Sequence, residues 1–558
     1  MIFAALVAGG AAAAAALLIS GGPPAAQARA DRFVSAWARN DFAAMRAEIA
    51  PADVRRTPLR SFTAAYRAAA TTATMTALRP GKAETPQEGV VSVPMTVATR
   101  AFGDVQATLR LPIAGEGDDA RINWARHLTF PGVVRGEILR RSMQLPRRAD
   151  ILARDGTPLA QGPERTSPLG ELASSIVGVL GPAPVERVAD LRARGFPDDA
   201  RVGITGLERV FDDRLAGRPG GLLRAGDRTL ASSLARPAPA VRTSIDPEVQ
   251  RAAVDAKGAR LGGVAAVRPR TGEILALSGI AFSGLQPPGS TFKIITLTGV
   301  LQARVAGPRS TFPVQTSTTI EGRDIENANG ESCGGSLRIS FAHSCNSVFA
   351  PLGEQLGAER LVKAAEAFGF NTDLGIPGAA TSTIPPANEI GDGLAVASSA
   401  IGQGRVQATA LQMAWVAATI AARGRRPQLT LERGGRTRRK QAIDAATARQ
   451  VGRFMEAVVN EGTGTAAKIS GVRVAGKTGT AELRSTKQPE CIPSPEVPDC
   501  PPALPNNPKD TDAWFSAYAP AAAPRIAVGV LLVEAGAGGD TAAPVAKQVL
   551  IAGLRATR

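Results

Sequence analysis

The chain has 558 residues, of which 44% are hydrophobic and 20% charged. That balance excludes a disordered chain, and the length excludes a single hydrophobic core, so about three domains are expected. The formal net charge of +16 suits anionic polymers or headgroups, but the arginines are scattered. This counts against nucleic acid as a partner; only residues 423–440 are locally dense, and they read as an exposed loop or hairpin. Four cysteines and two histidines (His127 and His343) offer no zinc spacing. They also leave little room for a Ser-His-Asp enzyme, and any nucleophile needs another base.

Residues 1–20 carry no charged side chain and are followed by Gly21-Gly22-Pro23-Pro24. About 20 apolar residues span a bilayer as a helix, so residues 1–22 read as a membrane anchor, with a cleaved signal and secretion as the alternative. Either way the rest of the chain is exported. Next, Phe33 and Trp37 stand four apart on one helix face, and Asn40 or Asp41 can cap a second helix. Alternation then takes over from Val90 to Val97 and from Val105 to Leu111, the signature of paired strands. Residues 29–128 therefore read as a small α+β domain.

Residues 129–235 hold short elements joined by turns, including a hairpin around Asp155-Gly156. This pattern predicts an extended linker module. From residue 241 the pattern is regular. A strand, Asp246 as a cap and Pro247 at the first helical position open a helix, and a hairpin turns at Pro269 and Gly272. A mostly helical middle runs over residues 290–461. Three strands follow near residues 472–482, 513–519 and 526–533, then a closing helix. Two strands, a helical block, three strands and a helix predict an antiparallel five-stranded sheet with helices on its faces over residues 241–558.

Three short patterns stand in order on this frame. In Ser290-Thr291-Phe292-Lys293 the serine opens a helix, where the dipole favours a developing alkoxide. Lys293 lies three residues on, on the same face, and a lysine desolvated among apolar neighbours can be a neutral base. In Ser344-Cys345-Asn346 a second hydroxyl can relay a proton, and an amide can hold the lysine and a substrate carbonyl. In Lys477-Thr478-Gly479-Thr480 the alternation marks a strand, where a peptide could add by main-chain hydrogen bonds. Lysine and threonine there would suit a carboxylate. Each pattern alone is weak; their order, placement and spacing together are not.

With these motifs and their flanks (Thr271-Gly272-Glu273-Ile274, Gly402-Gln403-Gly404 and Asp512-Ala513-Trp514-Phe515), residues 241–558 resemble the transpeptidase domain of penicillin-binding proteins. Residues 129–235 resemble the pedestal, or dimerisation-like, module of the class B members, and residues 29–128 the small domain preceding it in one subgroup. The composition suggests a GC-rich, actinobacterium-like source. The resemblance implies a serine D-Ala-D-Ala transpeptidase of the cell wall that is acylated and inhibited by β-lactams, and it implies no metal or cofactor. It implies Ser290 as nucleophile, Lys293 as base, Ser344 and Asn346 as relay and orienting amide, and Lys477 as electrostatic support. Thr478, Gly479 and Thr480 would bind the substrate or β-lactam carboxylate, and the backbone N–H groups of Ser290 and Thr480 would form the oxyanion hole. Its partners would be peptidoglycan stem peptides (a D-Ala-D-Ala donor and an amine acceptor), β-lactams, the membrane and a glycosyltransferase. Because the chain reads as exported, Cys333 with Cys345 and Cys491 with Cys500 are candidate disulfides. The alternatives are a D,D-carboxypeptidase, a β-lactamase-like hydrolase, or a non-catalytic β-lactam- or wall-binding protein.

Overall fold

The computed structural model describes residues 24–435, 437–482 and 510–557. The anchor reading of residues 1–22 and the Cys491–Cys500 pair fall outside them. Among the described residues no helix is long and apolar enough to cross a membrane.

The chain forms two compact units. The first takes the N-terminal residues up to Pro146 together with Ala183–Ala200 and Gly217–Arg236. In it, helices Ala25–Ala38 and Leu59–Ala73 accompany a sheet of Met75–Pro80, Val90–Thr99, Gly103–Ala114 and Arg121–Ile122 in sequential order. The two long strands are antiparallel, with Val97 opposite Val105 and Val93 opposite Leu109. Their alternation puts Val91, Val93, Met95 and Val97 into the same core as Phe33 and Trp37. Trp37 meets Tyr66 edge to face at 4.9 Å, and the Trp124 indole N–H donates to the Tyr66 hydroxyl at 3.0 Å. Asp41 caps the Phe42–Ala47 helix by accepting from Ala44 N.

The second unit takes Arg147–Pro182, Arg201–Ala216 and Pro237–Arg558. Its five-stranded antiparallel sheet runs, edge to edge, Ile274–Gly279, Gly262–Val267, Ile526–Leu532, Thr511–Ala519 and Ala475–Glu482. The first two strands in sequence lie at one edge, and the last two complete the ladder between them and the Lys477 strand. Helices Pro247–Lys257 and Ala542–Ala556 cover one face with Phe515, Val528 and Val530. The helix Ala410–Ala421, buried along its whole length, covers the other face beside Trp514 and Leu531. A helix that is apolar all round has to be buried, and this one forms the centre of the larger core.

Residues 129–235 are divided between the units. Ile151, Leu159, Leu207, Phe211 and Leu215 join the core of the second unit, and Leu223 that of the first. The expected hairpin around Asp155-Gly156 is present, Ile151–Leu152 against Pro158–Ala160. The helical middle is interrupted by small ladders: Thr311–Gln315 with Cys333–Ser336, Ser317–Ile320 with Arg323–Glu326, and Arg425–Pro427 with Arg439–Gln441. Strands of three to five half-exposed residues are too short to impose a period that can be told from loop.

Asp246 caps the Pro247–Lys257 helix, its carboxylate accepting from Glu248 N and Val249 N at 3.1 and 3.3 Å. Removing such a cap costs about 1 kcal/mol. Asp246→Ala should therefore lower the melting temperature of the second unit while leaving the fold unchanged. An unaltered melt would show that the cap contributes nothing.

Candidate active site

The three motifs are separate in sequence and meet at the Lys477 edge of the sheet. The first begins where Pro287-Pro288 ends a loop. Residues Gly289–Phe292 form one tight 3-10 turn and lead directly into the helix Lys293–Gln302. Gly289 has φ +50°, and a Cβ there would lie 2.7 Å from the Thr480 carbonyl oxygen, so the turn and the Lys477 strand approach closer than a side chain allows. The contact is matched from the strand side: a Cβ on Gly479 would stand 2.8 Å from the Pro288 carbonyl. Gly289 N also donates to the Gly402 carbonyl at 2.9 Å, which brings the Gly402-Gln403-Gly404 turn to the base of the site. Ser290 is half-buried at this junction.

Lys293 is fully buried. Its ammonium nitrogen donates to the Ser344 carbonyl and to Asn346 Oδ1, both at 2.6 Å, and lies 3.3 Å from Ser344 Oγ. Among the described residues none of its hydrogen bonds reaches the Ser290 hydroxyl, although the i, i+3 spacing puts both on one side of the turn. Asn346 is pinned at both ends of its amide, since Nδ2 donates to the Glu326 carbonyl at 2.8 Å. That fixes which end faces the lysine.

Lys477 is equally buried and donates to the same Ser344 hydroxyl at 2.8 Å and to the Thr478 carbonyl at 3.0 Å. Ser344 thus stands between two lysines. Its backbone is left-handed, φ 63°, a conformation non-glycine residues seldom hold and one that turns up at functional sites. A disulfide from Cys345 to Cys333 holds the neighbouring residue, and closing a loop this short contributes about 3 kcal/mol.

Burial pushes both lysines down. Lys293 falls well below the usual lysine range through desolvation and, second, the nearby charge of Lys477. Lys477 falls to about 7 through desolvation alone. The apolar walls are Phe341 and Phe349, whose rings lie 5.6 Å from the Lys477 nitrogen and 5.8 Å from that of Lys293. Both shifts favour the neutral amine, and Lys293 has a second cause, the neighbouring charge, that Lys477 lacks. As a neutral amine Lys293 would still donate to the two carbonyl oxygens and could accept from Ser344 Oγ at the long contact.

Thr480 Oγ1 accepts from Gly538 N at 3.4 Å, which leaves its proton for a ligand. Thr478 Oγ1 lies 2.5 Å from Thr463 Oγ1. Thr463 was not singled out from the sequence. Its amide donates to the Ala342 carbonyl at 3.1 Å, two residues before Ser344, so it ties the second motif to the third. Its one sequence signal is a threonine set between Gly462 and Gly464 just past a long helix, which turn chemistry explains equally well. Phe341 and Phe349 were visible only as apolar flanks. Among the described residues no group of carboxylates, histidines or cysteines could hold a metal.

Residues 262–551 match the family model of the penicillin binding protein transpeptidase domain, and residues 154–227 that of the penicillin-binding protein dimerisation domain. The peptidoglycan D,D-transpeptidase PbpA of Mycolicibacterium smegmatis is 33% identical over 419 residues, 63% of this chain and 80% of that one. The crystal structure of Pseudomonas aeruginosa PBP2 with WCK 5153 superposes with TM-score 0.61 at 25% identity, over 74% of this chain and 96% of that one. A ceftriaxone acyl-enzyme of penicillin-binding protein A from Mycobacterium tuberculosis does so with TM-score 0.55 at 26% identity, over 73% and 98%. With the catalytic sheet, the lysine-flanked serine and these matches in agreement, the chain belongs to the penicillin-binding protein transpeptidase family and is a class B member of it.

Proposed function

We propose that this protein is a peptidoglycan D,D-transpeptidase that works through a Ser290 acyl-enzyme and is inhibited by β-lactams. The observation that carries the reading is the Ser344 hydroxyl set between two buried lysines of different proton affinity. In the first step Ser290 Oγ attacks the carbonyl of the D-Ala-D-Ala amide and its proton passes to neutral Lys293. The oxyanion forms beside the backbone N–H groups of Ser290 and Thr480, a reading supported by the close approach of Gly289 to the Thr480 backbone. The C–N bond then breaks, and the proton travels from Lys293 through Ser344 to the departing amine of D-alanine. Charged Lys477 supports Ser344 during that transfer. In the second step the amine of a neighbouring stem attacks the ester, and the same relay runs in reverse. Thr478 and Thr480 hold the terminal carboxylate, and Asn346 orients the donor peptide and Lys293.

On this reading residues 241–558 are the catalytic domain, 129–235 the pedestal and 29–128 a spacer, held outside the membrane by residues 1–22 beside a glycosyltransferase partner. The named relatives and the ceftriaxone acyl-enzyme support the reaction class.

Intact mass after benzylpenicillin should show one stable adduct on the wild type and none on Ser290→Ala. With a D-Ala-D-Ala pentapeptide, an added acceptor amine should divert product from hydrolysis to the cross-linked dimer. Hydrolysis alone would make the protein a carboxypeptidase.

The rate of acylation by benzylpenicillin should be bell-shaped in pH. The acid limb falls as Lys293 gains a proton and stops accepting one. The alkaline limb falls as pH rises through about 7, where Lys477 loses its charge. Lys477→Arg keeps its charge at every accessible pH, so its alkaline limb should disappear. Persistence of that limb would assign it to another group.

Thr463 can donate to Thr478 and so leave the Thr478 proton for a carboxylate. Thr463→Val should slow acylation about tenfold, the value of one hydrogen bond to a charged group, chiefly through weaker binding. Thr463→Ser should restore it. Equal rates in all three proteins would remove Thr463 from the account.

A further inference from the structure

On the second unit, the Arg425–Pro427 and Arg439–Gln441 strands fold together, and Gln428 N donates to the Arg438 carbonyl at 2.8 Å. With Trp415 and the turn at Thr372–Leu374 they wall a cavity of about 290 Å³. Thr430, just beyond it, bridges to Glu273 at the Ile274–Gly279 edge of the sheet. The Lys477 strand is the opposite edge, about 19 Å away across four strand spacings. The cavity is therefore no part of the peptide site.

One wall is apolar, with Leu374 and the edge of Trp415; the rim is cationic, with Arg426, Arg438, Arg439 and Lys440. Some buried arginines of this unit find carboxylates, as Arg148 does with Glu208 and Asp212. Here, among the described residues, no ion pair engages any of the four. Asp373, the acidic group in the lining, is turned back to accept from Gly375 N at 2.9 Å. Glu366 gives Arg426 only its backbone carbonyl, at 3.0 Å. Arg426 is half-buried, stacked 4.7 Å over the Trp415 ring. A guanidinium drawn partly out of water with no counter-charge is costly, and a bound anion offsets that cost. Arginine keeps its charge there and presents a fork suited to phosphate or carboxylate.

We propose that this cavity binds one anionic sugar unit, phosphate- or carboxylate-bearing, of an oligo-anionic saccharide. The volume lies at the small end of ligand pockets, room for one ring and its charged substituent. An apolar wall facing a cationic rim matches a ring with a carbon face and an acidic substituent.

The test uses the full chain in detergent, first acylated with benzylpenicillin to occupy Ser290. Binding of a mannose 6-phosphate oligosaccharide, trigalacturonate, neutral mannotriose and hexathymidylate is measured by calorimetry, for wild type and Arg438→Gln/Lys440→Gln. Saturable one-to-one binding of one acidic saccharide is expected, weakened about tenfold in the double variant, with no binding of mannotriose. The acid that binds more tightly identifies the source as phosphate or carboxylate. The rate of penicillin acylation should be equal in both proteins, which shows the fold intact. Non-saturable binding, equal affinity in the variant, or tighter binding of hexathymidylate would each overturn the proposal.

Discussion

Two lysines buried side by side, sharing one serine hydroxyl, set the terms for everything around them. A buried ammonium is expensive, and two near each other are more so. The chain lowers the cost by favouring the neutral form of Lys293 and by giving the two nitrogens oxygen acceptors: Ser344, Asn346 and the Thr478 carbonyl. What would be a defect in a structural core becomes a base and an electrostatic support held on either side of a relay. The left-handed backbone of Ser344 is the local strain this requires, and the Cys333–Cys345 bridge holds the next residue against relaxing it.

The rest of the second unit can be understood as support for that arrangement. The Lys477 strand is a sheet edge, so its outer main-chain groups remain for an extended peptide, while the other four strands make it rigid. The wholly buried Ala410–Ala421 helix and the helices on the opposite face fix the sheet from both sides. Glycines at 289 and 479 let the serine turn lie against the strand at backbone distance, closer than any side chain permits. Thr463 ties the serine loop to the same strand. Precision comes from several independent constraints on the same few residues, none of them large.

The first unit is built on a different principle. Its core rests on an aromatic cluster, Trp37, Phe62, Tyr66 and Trp124, joined by the Trp124–Tyr66 hydrogen bond, and among the described residues it holds no comparable pair of buried lysines. Arg148 and Arg165 are spent on Glu208 inside the second unit, whereas the cations around the Trp415 cavity have no such partner.

The sequence by itself determined the element types where a period was long enough to be read. These are the Phe33–Trp37 helix face, the Val90 and Val105 strands, the capped Pro247 helix, and the two-plus-three strand plan of the catalytic sheet. It also marked Ser290, Lys293, Ser344, Asn346 and Lys477, because their residue types and order are unusual together. It could not show that residues 129–235 are shared between two units, nor that short ladders interrupt the helical middle, because elements of a few residues carry no period. Nor could it tell that both lysines are pushed down, Lys293 with a like charge as a second cause. That depends on burial and on the distance between two side chains 184 positions apart in the chain, and both are properties of packing. Thr463 and the unpaired cations were hidden for the same reason. A threonine between glycines and an arginine-rich hairpin look ordinary until the fold decides what stands beside them.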